Sequence, residues 1–146
     1  MTPALRDPLA PERPARSSIT LAPGTLTRGQ VVTLLVGVGL ALLRHHGAGT
    51  PHGPVHPAHV SVDGEGRPQL ASVRPPPRWT AHDDWVGLLR FGRAMGRPGQ
   101  SSQLSWWSAG RREGVELLRW LLDWADPEPL PLTGPWSQLC WRAENA

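Results

Sequence analysis

Three histidines, His52, His56 and His59, fall within eight residues of a Pro-rich segment, Thr-Pro-His-Gly-Pro-Val-His-Pro-Ala-His-Val-Ser over positions 50–61. His45 and His46 lie just upstream. Three imidazoles suit Zn²⁺ and leave its fourth position open, so loop 52–59 is a candidate metal site. Against that, Pro54 and Pro57 stiffen the loop, and no Cys or carboxylate completes a known ligand spacing. The lone Cys140 rules out an intrachain disulfide framework. All fifteen basic residues are Arg, and neither Lys nor Tyr occurs. That removes a phosphate-gripping Lys, a Schiff base and a Lys general base together. Ser72, His59 and Asp83 carry reactive groups, but no spacing gathers a nucleophile, a base and an orienting group.

The elements that must position these residues read mainly as helices with one small hairpin. At 146 residues the chain suits one domain. Five prolines among residues 1–24 mark a flexible arm, and the domain is expected over 25–143. Thr27 and Gln30 fit a capping box at the head of a helix running to His46. Its residues Val31–Leu43 are apolar nearly all round, as in a central helix covered on several sides, and Gly47 offers a left-handed stop. That run of 13 residues is too short to span a bilayer. Two strand candidates, 60–62 and 67–71, flank the turn Asp63-Gly64-Glu65-Gly66. A second helix opens at Thr80, with Asp83 and Asp84 in its first turn and a stripe of Trp85, Leu88, Leu89, Gly92 and Met95. A third is expected over 111–125, burying Val115, Leu118, Leu121 and Leu122 and closed by Asp126-Pro127. A short terminal helix is expected over 135–142.

This order (buried helix, His-containing loop, hairpin, sharp connection, Asp-opened helix) resembles the C-terminal lobe of protein kinases over roughly residues 25 to 132. The bacterial Ser/Thr branch of that family has a catalytic loop reading approximately His-Gly-Asp-Val-x-Pro-x-Asn-Val. Here the segment is His52-Gly53-Pro54-Val55-His56-Pro57-Ala58-His59-Val60. The family hairpin ends in a Gly-Arg-Pro-x-Leu-x-Asp-Phe-Gly type segment, and here Gly66-Arg67-Pro68-Gln69-Leu70-Ala71-Ser72-Val73-Arg74 stands in its place. Asp84-Trp85-Val86-Gly87-Leu88-Leu89 is similar to the family's Asp-opened helix, and Leu117 to Pro127 to its late helix and Asp-Pro corner.

The resemblance implies a catalytically inactive, pseudokinase-like protein. Phosphoryl transfer needs a carboxylate base and oxygen ligands for Mg²⁺. The family's base Asp aligns with Pro54, its metal-binding Asn with His59 and its metal-binding Asp with Ser72. The N-terminal lobe and its Lys have no counterpart, so no nucleotide or other cofactor is expected. The retained positions imply structural roles: His52 organises the loop backbone, and Asp84 accepts backbone hydrogen bonds from it. The stretch from Ser72 to Asp84 is shorter than a family activation segment, without an Ala-Pro-Glu equivalent, and no Arg follows the Asp126-Pro127 corner.

An interaction or regulatory module is therefore the expected function, with a protein partner or a second copy on the surface that an N-terminal lobe would cover. Trp106 and Trp107 are the candidate exposed aromatic pair. The isoelectric point near 10.9 reflects the absence of Lys and Tyr, since the formal net charge is only +3. Arg6, Arg13 and Arg16 in the arm are too dispersed for a nucleic-acid or membrane surface. Without a signal-like N-terminus the chain is expected to be cytoplasmic.

Overall fold

A computed structural model describes residues 21–100 and 103–131. Among them are four helices, α1 (Arg28–Gly47), α2 (Ala81–Met95), α3 (Gln103–Ala109) and α4 (Gly114–Trp124). A 3-10 turn at Pro57–His59 and a hairpin of β1 (Val60–Val62) and β2 (Pro68–Leu70) lie between α1 and α2. The architecture is thus mainly α with one small antiparallel sheet. The helix expected over 135–142 and residues 1–20 of the arm lie outside the described residues.

α1 begins as its sequence requires. The Thr27 side chain accepts from the Gln30 amide, and the Gln30 side chain accepts from the Thr27 amide, closing the capping box. Val31, Val32, Leu34, Leu35, Val38 and Leu42 are buried along it, against α2, α4 and the hairpin. Burying each such side chain contributes about 1.5–3 kcal/mol, so α1 is the axis of the core. Close approach of α4 depends on Gly39, where a Cβ would lie 2.5 Å from a Leu118 methyl. The left-handed stop falls at Gly49 (φ 88°) and not at Gly47, which is the last helical residue. The added turn is held by Ala48, Gly49 and Thr50 amides donating to the carbonyls of residues 44–46.

The hairpin pairs Val60 with Leu70, Ser61 with Gln69 and Val62 with Pro68. Asp63 holds the turn by accepting from the Glu65 and Arg67 amides. α2 starts on a second capping box, Thr80 with Asp83, and its expected stripe is buried together with Phe91.

The late helix differs from expectation in two ways. It starts at Gly114 because Arg111 and Arg112 close the turn after α3, donating to the carbonyls of Ser108 and Ala109. Its buried face is Leu117, Leu118 and Leu121, while Val115 and Leu122 of the expected stripe are exposed. Residues 21–24, assigned to the arm on composition, join the domain: Leu21 is buried and the Gly24 amide donates to the Ala94 carbonyl. Among the described residues no helix is long and apolar enough to cross a membrane.

Candidate functional site

The His-containing loop is anchored by one carboxylate. Thr80 caps α2 and so sets Asp84 in its first turn, where the side chain is fully buried beneath residues 52 and 53. Asp84 Oδ2 accepts from the His52 amide at 2.7 Å and Oδ1 from the Gly53 amide at 2.9 Å. Trp79 donates its indole N–H to Oδ1 at 2.8 Å, and His46 Nε2 stands 2.7 Å from Oδ2. A buried carboxylate is costly unless its lone pairs are filled, and four donors fill these. Burial works to raise the Asp84 pKa. The hydrogen bonds from His46, the His52 amide, Trp79 and the Gly53 amide outweigh it and hold the carboxyl below its ordinary value.

His52 is buried as well. Its Nε2 is 2.7 Å from the Ala71 carbonyl, just past β2, and its Nδ1 is 3.0 Å from the Gly53 carbonyl. His45 meets its ring edge-on at 5.1 Å. The loop is therefore tied to α2 through its backbone and to the hairpin through its imidazole. Gly53 makes the turn possible: its φ is 108°, and a Cβ there would come 3.1 Å from the Pro75 backbone.

The remaining positions follow from this frame. Pro54 is half-buried and carries no side-chain acceptor. His56 caps the 3-10 turn, its Nδ1 accepting from the Ala58 amide. The Ala71 amide donates to the His59 carbonyl at 2.8 Å, which sets Ser72 one residue from that link. The Nδ1 of His59 is buried without a protein partner, whereas Ser72 is exposed. His52, His56 and His59 do not converge on one point. The His52 nitrogens face carbonyls and His56 Nδ1 faces an amide. Among the described residues no group of three His, Cys, Asp or Glu could hold a metal ion.

Trp106 and Trp107 do not form an exposed pair. Neighbours on a helix point about 100° apart, so Trp106 turns inward against Trp124 at 5.7 Å. Trp107 turns outward, 61% exposed, with the Arg111 guanidinium 4.9 Å from its ring centroid.

His46 and Trp79 complete the Asp84 site without having been assigned to it from sequence. Their signal was positional: His46 is a basic residue in the last turn of α1, and Trp79 immediately precedes the cap of α2. No protein-family model, curated protein or solved structure matches this chain.

Proposed function

We propose that this chain is a catalytically inactive, protein-kinase-like module that works by binding other proteins. The observation that carries the reading is the double acceptance by Asp84 of the His52 and Gly53 amides. It is the arrangement that the resemblance to a kinase C-terminal lobe leads one to expect of those positions. The His52 link to Ala71, beside the hairpin, supports it further. These contacts hold a loop shape and need no reaction.

The positions where kinase chemistry would reside argue for binding over catalysis. Pro54 can accept no proton, while His59 and Ser72 supply no carboxylate to Mg²⁺. No Lys is present to grip a phosphate. A fold of this kind retains its surfaces after its chemistry is lost, and the module is proposed to act in the cytoplasm.

Affinity capture of the tagged chain from its own cells, read by mass spectrometry, tests the reading. A stoichiometric protein partner or a second copy is the expected result. A chain recovered alone and monomeric at all concentrations would remove it.

A further inference from the structure

Most of the large apolar side chains that the described residues leave exposed lie on one face. Leu40 is 49% exposed, Val115 53% and Leu122 43%. α1 and α4 run antiparallel: Gly29 meets the backbone of Asp126 near one end, and Gly39 meets Leu118 further along. Taking the Gly39–Leu118 contact as the seam, the 100° step per residue turns Leu40, Val36 and Leu43 to one side of α1. The same step turns Val115 and Leu122 to the same side of α4. Val36 and Leu43 are only partly buried against the core, so they extend the apolar strip between the helices.

The charges beside the strip complement one another under a two-fold rotation. Arg119 stands midway between Val115 and Leu122, with Glu116 and Asp123 on the outer edge of α4, and all three are exposed. The ion pairs among the described residues are His46–Asp84, Arg67–Glu65 and His82–Glu113, so none of these three side chains is in one. Two copies of α4 laid antiparallel about the midpoint of Leu118 and Arg119 put each Val115 opposite the other copy's Leu122. The same pairing brings each Arg119 within one turn of the other copy's Glu116. A surface complementary to itself is what a closed two-fold dimer requires.

We infer that the α1–α4 face binds a second copy of this chain, in an isologous dimer centred on Val115, Arg119 and Leu122. The inference rests on the interaction-module reading and names its partner. α1 is about 30 Å long and α4 about 16 Å, and each helix presents a strip roughly 10 Å wide. That area, about 450 Å² per copy, falls in the range of small, transient interfaces, so the dimer is weak, reversible and concentration-dependent.

Sedimentation equilibrium of the full chain tests it, with three variants chosen for exposed positions. The wild type is expected to self-associate, and Leu122→Glu to weaken the dimer at least tenfold with unchanged circular dichroism and melting temperature. Arg119→Glu and Glu116→Arg each place like charges across the pairing and should be monomeric alone. Mixed together they restore both opposite-charge pairs and should form a heterodimer. A monomeric wild type overturns the proposal, as does a dimer indifferent to Leu122→Glu or a mixture that stays monomeric. A chain that becomes dimeric only on deletion of residues 132–146 also overturns it, since the face is then occupied by the chain's own terminus. A monomeric wild type that still captures a different protein leaves the module reading standing, so the two failures are distinguishable.

Discussion

Asp84 Oδ2 lies 2.7 Å from the amide nitrogen of His52, joining the first turn of α2 to a loop 32 positions earlier in the chain. Because the side chain is fully buried, water cannot replace either partner. The loop geometry therefore depends on this one carboxylate.

Asp84→Ala leaves the His52 and Gly53 amides and the Trp79 indole without acceptors. Removing one side of a buried charged contact costs about 3–5 kcal/mol, a large part of a typical folding free energy of roughly 5–15 kcal/mol. Asp84→Asn keeps the shape and one acceptor oxygen and should cost less, about 1–3 kcal/mol. Urea unfolding followed by circular dichroism should rank the three proteins in that order. Equal stability of wild type and Asp84→Ala would refute the clamp.

The lowered pKa of Asp84 gives stability a definite pH dependence. In the unfolded chain the carboxyl titrates near its ordinary value, so on acidification the unfolded state takes up the proton first. The contribution is then fully present above that ordinary pKa and is lost as pH falls through the folded one. The stability difference between wild type and Asp84→Asn should be flat from neutral pH to about 5 and shrink below about 4. His46→Ala removes one donor and brings the folded pKa closer to the unfolded one, so the acid-dependent loss should be smaller and be complete at a higher pH.

Gly53→Ala must hold a side chain at a φ of 108° and press a methyl against the Pro75 backbone. Left-handed strain of this kind costs about 1–3 kcal/mol. Thermal melts should show a drop of several degrees, and an unchanged midpoint would mean that the loop adopts another shape.

Gly29→Ala sets two effects against each other. Ala favours a helix over Gly by about 1 kcal/mol, but its Cβ would sit 2.5 Å from the Asp126 carbonyl oxygen. Backbone cannot yield as a side chain can, so the segment after α4 must move and the Glu128 amide loses its bond to the Gly29 carbonyl. Net destabilisation of about 1–3 kcal/mol is expected, and a stabilised variant would contradict the packing.

The parts legible in sequence were those encoded locally. Thr27 with Gln30, and Thr80 with Asp83, announce their helices through side chains that bond three residues away. The Asp63–Gly66 turn fixes the hairpin in the same way. The orientation of α4 was not legible, because Val115, Leu118, Leu121 and Leu122 fit one stripe on spacing alone. The contact of Leu118 with Gly39 decides which of them face inward. α3 was missed for a similar reason: in seven residues, Trp106 and Trp107 give no period until Trp124 supplies a partner for one of them. At the site, Asp84 and His52 were singled out only through the resemblance, and the structure shows the contact between them. His46 and Trp79 reach the carboxylate only once α1 and the connection before α2 are folded around it.

The proposed reading, a kinase-like lobe without kinase chemistry, is tested most directly by calorimetric titration of the full chain with Mg²⁺ and ATP. No saturable heat is expected, and no labelled phosphate should pass from ATP to the chain or to a generic protein substrate. Saturable nucleotide binding accompanied by phosphoryl transfer would contradict the account.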